Sequence, residues 1–250
     1  MISAVILAKN EEKNIADCIK GLRWCDEILI VDDKSTDKTV DVAKKNGARV
    51  IMHSLENDFS RQRNYGLLEA KEQWVFFVDA DERISESLAF EITNRIKESP
   101  IKNYDGFFIR RIDNMWGKKL LHGETGNIKL VRLVKKDSGK WEGQVHEIWK
   151  TKKTLGELKN PIFHYPHQTV NEFLKELNFY TDIRAKELYK KGIRVHWWFV
   201  IMYPKAKFFF NYILKMGFLD GIPGFVFAIL MSFHSFLVRG KLWMLWQKKQ

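Results

Sequence analysis

A rhythm in roughly the first third of the chain constrains its fold more than any other feature. Short apolar runs alternate with stretches of helical periodicity. The runs are "AVILA" (4–8), "EILIVDD" (27–33), "ARVIMH" (48–53) and "WVFFVDAD" (74–81). Between them, "EEKNIADCIKGL" (11–22) sets Ile15, Ile19 and Leu22 at helical spacing, "DKTVDVAKKNG" (37–47) stops at Gly47, and "SRQRNYGLLEAK" (60–71) reads as a third helix. Strands that are apolar throughout are covered on both faces, and strand–helix–strand repetition implies right-handed crossovers and a parallel sheet. Such sheets bind ligands at the carboxyl ends of their strands. Three polar clusters fall at those ends: Lys9, Asn10 and Glu11; Asp32 and Asp33; Asp79 and Asp81.

Beyond a helix at about 86–98 the pattern changes. "DGFFIRRIDN" (105–114) and "NIKLVRLVKK" (127–136) read as strands of a mixed sheet. "KWEGQVHEIW" (140–149) and "LKNPIFHYPHQ" (158–168) carry His146, Glu147 and His164. A clear helix follows at 169–192, with Phe173, Leu174, Leu177, Tyr180 and Leu188 favouring one side and Gly192 after its end.

From about residue 195 the chain is basic and aromatic. Net charge is +11 over 250 residues, yet the stretch from Arg184 to Gln250 holds twelve Lys and Arg against two acids, Glu187 and Asp220. The preceding 183 residues are therefore nearly neutral, and the tail fits an anionic surface, either nucleic acid or membrane. Fifteen of the 34 aromatic residues lie between Trp197 and Trp246, and the 17 residues from Ile222 to Val238 carry no formal charge. A spanning helix needs about 20 apolar residues, and this run includes Pro223, Ser232, His234 and Ser235. Interfacial or re-entrant helices are the favoured reading, and a helical subdomain packing on the body or on another copy is the bland one. The N-terminus lacks a basic region and a long apolar run, so no signal peptide is expected. Cys18 and Cys25 are too few for a disulfide scaffold and read as reduced thiols of a cytosolic chain.

Asp79 and Asp81 stand two apart, so on an extended backbone both side chains face one side. Their proximity would raise a pKa unless a cation neutralises them. Oxygen ligands suit Mg2+ or Mn2+, whose shells are completed by water and phosphate oxygens, which points to a phosphorylated substrate. The structural alternative is a capped strand-to-helix turn, with Asp81 or Ser85 as the cap. The apolar run before the pair and the other edge clusters favour the metal.

"VILAKNEEKNI", "ILIVDDKSTDKTVDVAKKNGARV", "RQRNYGL" and "VFFVDADERIS", in this order and spacing, resemble the family 2 inverting glycosyltransferases of the GT-A fold, over roughly residues 1–150. "EGQVHE", "FHY" and "GFLDG" resemble the bacterial branch that builds lipopolysaccharide cores, including β-1,4-glucosyltransferase-like proteins. The resemblance implies an α/β fold with a mixed, mostly parallel sheet flanked by helices. It implies a catalytic domain over 1–168, with a nucleotide-binding half (1–100) and an acceptor half (101–168). A helix at 169–194 would pack on that domain, and 195–250 would associate with membrane.

The resemblance also assigns roles. Ala8, Asn10 and Glu11 would line the nucleotide pocket, with Glu11 accepting from ribose hydroxyls. Asp32 or Asp33 would receive the base N–H, leaving Ser35 or Thr36 to cap the next helix. Arg63 would contact the nucleotide or its phosphates; the Gly of "RNYG" stands one place earlier than in the family's block. Asp79 would touch ribose or metal-bound water, and Asp81 would ligate the metal, with His164 a candidate third ligand or diphosphate contact. Inversion by direct displacement needs a general base. The "ED" pair found in many members has no counterpart here, so Glu147 is the candidate, with His146 beside it and Glu142 in reserve. His146 and Glu147 could equally form a structural strand-end pair. Trp116 and Trp141 could stack on sugars or fill the core. Glu82 has no assigned part beyond supporting its loop.

The expected partners are a nucleotide-diphosphate sugar donor (a UDP-sugar favoured), a lipid-linked or core oligosaccharide acceptor, and the anionic cytoplasmic face of the bacterial inner membrane. A nucleic-acid-binding protein is the competing reading, opposed by basic residues that flank apolar runs instead of lining a polar groove. A catalytically silent GT-A scaffold is the other, opposed by the intact Asp79, Asp81 and Glu147.

Overall fold

The computed structural model describes residues 1–56, 58–97, 104–143, 147–166 and 168–247. It comprises two compact units: Met1–Arg111 with Lys129–His164, and Ile112–Ile128 with Tyr165–Gln250.

The first unit begins with β1 (Ile2–Ala8), α1 (Ile15–Lys20), β2 (Glu27–Asp32), α2 (Thr39–Lys45), β3 (Arg49–Met52), α3 (Phe59–Glu69) and β4 (Trp74–Asp79). The short β5 (Glu82–Arg83) and α4 (Glu86–Lys97) follow, then β6 (Gly106–Met115), whose last residues belong to the second unit, and β7 (Lys118–Leu120), which lies wholly in that unit. β8 (Ile128–Lys135), β9 (Lys140–Glu142), β10 (Ile148–Lys150), β11 (Leu155–Glu157) and β12 (Ile162–His164) complete the strands. The sheet order is β3-β2-β1-β4-β8-β6-β12-β5, and β9 with β10 forms a separate hairpin. The four leading strands are parallel, as their unbroken apolar runs imply, and β8 joins β4 antiparallel.

Alternate residues of β1 feed two cores. Ile2, Ala4, Ile6 and Ala8 join Phe76, Val78, Ile15 and Ile19 on one face. Val5 joins Leu29, Val31, Val75 and Phe77 on the other. This two-sided burial is why these strands read as continuous rather than alternating. On the second face α3 lies very close: a Cβ built on Gly66 would stand 2.5 Å from Val5 Cγ1 and 3.1 Å from Val31 Cγ2. Gly66 therefore sets how near α3 comes to the sheet.

The second unit holds β7 with the end of β6, then α5 (Val170–Lys190), α6 (Trp197–Phe209) and α7 (Gly221–Gln247). A π-helical turn (Phe210–Leu214) and a 3-10 turn (Gly217–Asp220) form the elbow between α6 and α7. α5 opens on a complete capping box between Thr169 and Glu172. Its Phe173 and Leu177 pack with Met115, Leu120, Phe227 and Leu230. The helix expected to pack on the catalytic domain thus belongs with the tail helix and β7. Its apolar positions pack against those of α7.

Candidate active site

The pairing register brings the predicted clusters to one edge. Ala8 pairs with Asp32, and Leu7 with Asp79. The loops after β1 and β2 are laced together. Asn10, at a left-handed φ of 57°, donates its N–H to Ser35 Oγ (2.9 Å) and accepts from Thr36 N (2.8 Å). Glu11 N donates to Thr39 Oγ1 (2.7 Å), while Glu11 Oε2 accepts from Asn14 Nδ2 (2.9 Å). Ala8 O accepts from Asp33 N (2.9 Å).

The two aspartates after β2 differ. Asp32 is fully buried, and Ser35 donates to both its oxygens, through N at 2.8 Å and Oγ at 2.5 Å. Through these bonds it holds the loop. Ser35 is committed to Asp32, so neither it nor Thr36 caps α2; Asp37 accepts from Thr39 N instead (3.0 Å). Asp33 binds Lys9 Nζ (2.7 Å) and accepts from Leu55 N (2.9 Å). Burial pushes the Asp33 carboxyl up, but those two contacts overcome it and leave it below its ordinary value.

Asp79 is at the centre of the charge network. Two guanidinium groups pair with Asp79. Arg132 Nη2 donates to Asp79 Oδ2 (2.5 Å) and Arg63 Nη2 to Oδ1 (2.9 Å). Burial pushes the Asp79 carboxyl up; Arg132 and then Arg63 outweigh it and hold it far below the carboxylate range. Arg132 Nη2 also donates to Glu82 Oε1 (2.6 Å), and Glu82 Oε2 accepts from Asp79 N (2.9 Å). Glu82 is fully buried, and its carboxyl is pushed up by that burial against the pull of Arg132. Glu82 therefore supports the turn. Sequence reading missed Arg132: in "KLVRLVKK" it looks like one more cation on a strand, although a charge flanked by Val131 and Leu133 in an apolar run is the available signal.

Asp81 is free of this clamp. Ser85 caps α4 through Leu88 N (3.2 Å), so Asp81 is not needed there. β12 pairs with β5 so that His164 lies opposite Glu82, and His164 Nε2 reaches Asp81 Oδ2 at 3.1 Å. Of the three residues expected at a metal, Asp81 and His164 thus meet, while Asp79 pairs with Arg63 and Arg132. Among the described residues no group of three acidic, His or Cys side chains surrounds a common point.

Arg63 links this edge to the candidate base. Its Nε donates to Glu147 Oε1 at 2.6 Å. Its guanidinium lies 5.3 Å from the Trp141 ring centroid and 5.9 Å from that of Phe77. Nη1 is buried without an acceptor among the described residues. Asn64 fixes the neighbouring hairpin: it donates to Trp141 O and accepts from Trp141 N, both at 2.9 Å. Trp141 packs edge-on against Phe77 (5.2 Å) and Trp149 (5.4 Å), which makes it a core residue and not a sugar platform. Glu142 alternates with the buried Trp141, so it points away from that core and pairs with Lys140 at 3.1 Å. The reserve base is thereby turned from Arg63. Trp116 packs against Phe173 in the second unit. His146 lies outside the described residues. Cys18 and Cys25 are free thiols, as expected, and burial raises both.

A parallel β3-β2-β1-β4 half with an acidic pair just past β4, extended by mixed strands, defines a GT-A glycosyltransferase. Residues 3–173 match the family described as Glycosyl transferase family 2, and the chain belongs to that family. It is 28% identical over 261 residues to an uncharacterized glycosyltransferase of Rickettsia typhi, covering 96% of this chain and 86% of that protein. It is 24% identical over 249 residues to the lipopolysaccharide core biosynthesis glycosyltransferase LpsC of Rhizobium meliloti, covering 97% and 92%. Among solved structures, TarS 1-349 of S. aureus in complex with UDP-GlcNAc is similar at 15% identity and a TM-score of 0.48, covering 100% of this chain and 92% of that one.

Proposed function

We propose that this enzyme transfers a sugar with inversion from a nucleotide-diphosphate sugar, a UDP-sugar by preference, to a lipid-linked or lipopolysaccharide-core saccharide at the cytoplasmic face of the inner membrane. The observation that carries the reading is Arg63. One buried guanidinium joins the acidic end of β4 to Glu147 and keeps Nη1 without an acceptor among the described residues. A diphosphate oxygen is a fitting acceptor for it, since ionised partners form the stronger hydrogen bonds.

Ala8, Asn10, Glu11 and Asp33 line the nucleotide side of this edge; Asp32 acts through the loop it holds. Asp81 and His164 fit a divalent ion of the Mg2+ or Mn2+ kind, being an oxygen and an imidazole donor already in contact. When bound, such an ion supplies Lewis-acid stabilisation of the charge on the departing diphosphate. Glu147 serves as general base: the acceptor oxygen bonds to the sugar's anomeric carbon, the bond from that carbon to the diphosphate breaks, and the hydroxyl proton passes to the carboxylate. Arg63 orients that carboxylate by holding Oε1, which leaves Oε2 for the proton. The name of the Rhizobium relative supports the choice of acceptor. The basic, aromatic tail supports a membrane setting.

A panel of nucleotide sugars, each with Mg2+ or Mn2+, should raise the thermal unfolding temperature of the protein, because a ligand of the native state stabilises it. Asp81→Asn should remove the metal-dependent part of that rise. Glu147→Gln should keep the rise and lower transfer by at least about 100-fold. Transfer retained in Glu147→Gln would move the base elsewhere, and no protection by any nucleotide sugar or nucleoside diphosphate would end the reading.

A further inference from the structure

The second unit presents its side chains to solvent in an unusual way. Around the elbow, Phe210, Leu214, Met216, Phe218, Leu219 and Ile222 are 46–79% exposed. Two polar residues of the same stretch turn inward: Asn211 is 1% exposed and Asp220 3%. Asp220 Oδ2 accepts the N–H groups of Leu121 (3.0 Å) and His122 (2.9 Å), and Oδ1 faces His122 Nδ1 at 2.8 Å. Glu124 holds Lys207 Nζ at 2.6 Å and Asn211 Nδ2 at 3.2 Å. Met216 takes a left-handed φ of 56°, which lets the chain turn while Asp220 points in and its apolar neighbours point out. Along α7, Ile222, Phe225, Ile229, Phe233 and Phe236 continue an exposed stripe at helical spacing.

At 27 residues, α7 is about 40 Å long, enough to cross a hydrocarbon core of about 30 Å. Its flank argues against crossing. α5 runs beside α7 from the Phe173–Phe227 contact to Lys241, which donates to Asn178 O (2.9 Å) and Thr181 Oγ1 (2.8 Å). α5 carries eight charged side chains in 21 residues. A spanning α7 would take those charges into lipid at about 2.5–3.5 kcal/mol each at the centre of the bilayer. A helix that lies in the plane of the membrane keeps α5 in water.

We propose that the elbow between α6 and α7, with the exposed stripe of α7, inserts into one leaflet of an anionic bilayer without crossing it. This deepens the membrane reading given above and rests on it. The occupant follows from charge. Lys118, Lys119, Lys205 and Lys215 are exposed in this unit, and Lys118 Nζ lies 3.4 Å from where a Cβ on Gly221 would stand. A leaflet with anionic headgroups matches that set. A second copy meeting this face through a two-fold axis would bring the same cations together.

The test uses the full chain and flotation with phosphatidylcholine vesicles, with and without phosphatidylglycerol. The protein should float with the anionic vesicles, and Leu219→Asp with Ile222→Asp should lower partitioning at least about tenfold, since each buried aliphatic side chain contributes more than a factor of ten. Nucleotide-dependent thermal protection should be unchanged in that double variant. Failure of that protection in the unaltered protein would instead count against the donor reading and leave the vesicle result standing. An environment-sensitive fluorophore on Leu219→Cys should shift to the blue with anionic vesicles, which tests insertion even if the double variant does not fold. In sealed inner-membrane vesicles with the cytoplasmic face outward, protease should remove a C-terminal tag. Unchanged partitioning of the double variant, no blue shift, a protected tag, or a dimer that the double variant dissociates while vesicle binding persists would each overturn the proposal.

Discussion

Arg63 and Arg132 in the first unit and Asp220 in the second are all buried charges, yet they serve opposite kinds of surface. In the first unit the arginines gather Asp79, Glu82 and Glu147 into one network, so that charge collects at the edge where a charged ligand is expected. In the second, Asp220 and Glu124 draw polar groups inward, and apolar side chains are left facing out. Burying a charge costs several kcal/mol unless it is paired and hydrogen-bonded. The first unit sustains that cost at its binding edge. The second sustains it in an elbow whose outer face a purely structural turn would not make apolar.

The largest expected effect tests the arginine network. Arg132→Met leaves the fully buried Glu82 and most of Asp79 without their main counter-charge, and should cost about 3–5 kcal/mol in urea unfolding at neutral pH. A loss below about 1 kcal/mol, the scale of a surface pair, would mean that the network does not hold the first unit together. Next comes Gly66→Ala. The added methyl meets Val5 Cγ1 at 2.5 Å, so α3 must move away from the sheet and carry Arg63 with it. Overpacking of this kind should cost about 1–3 kcal/mol, with weakened nucleotide binding measured by titration calorimetry. Stability lost with binding intact would separate the position of α3 from the site. In the second unit, Asp220→Asn keeps one acceptor but loses the ionised contacts to His122 and the loop. About 1 kcal/mol is expected, read by hydrogen exchange at Leu121 and His122.

The parallel half was legible because β1, β2 and β4 are covered on both faces, and such strands announce themselves as apolar runs ending in polar clusters. Asp79, Asp81, Arg63 and Glu147 are singled out on that basis and by resemblance; in the structure Arg63 contacts both Asp79 and Glu147, and Asp81 contacts His164. What could not be read was pairing at long range. Arg132 reaches Asp79 across 53 residues and Arg63 reaches Glu147 across 84, and no local pattern encodes which cation meets which acid. Of Asp32 and Asp33, which the sequence offers equally, Asp32 is engaged by one hydroxyl, Ser35 Oγ, which the sequence also offers as a helix cap. The partners of α5 are another long-range matter: its apolar side suits either a sheet or another helix, and within the second unit Phe173 and Leu177 meet Phe227 and Leu230 of α7.

The smallest effect is a dependence on pH, and it distinguishes a clamp from mere proximity. Asp79 has a native pKa held far below its unfolded value of about 3.9. A carboxyl lowered in this way binds fewer protons in the native state than in the unfolded state as pH falls, so its contribution is fully present above about pH 4 and is lost progressively below it. The stability difference between the unaltered protein and Asp79→Asn should therefore be flat from neutral pH down to about 4.5, then narrow as the pH drops further. Urea midpoints taken across that range measure it. In an Arg132→Lys background a point charge replaces the planar fork and Asp79 loses part of its partner, so the narrowing should start at the same pH, be smaller in total, and level off at a higher pH. A difference that stays flat to the acid limit would show that the arginines stand near Asp79 without holding its charge. The edge that they prepare would then have to draw its order from the laced loops after β1 and β2.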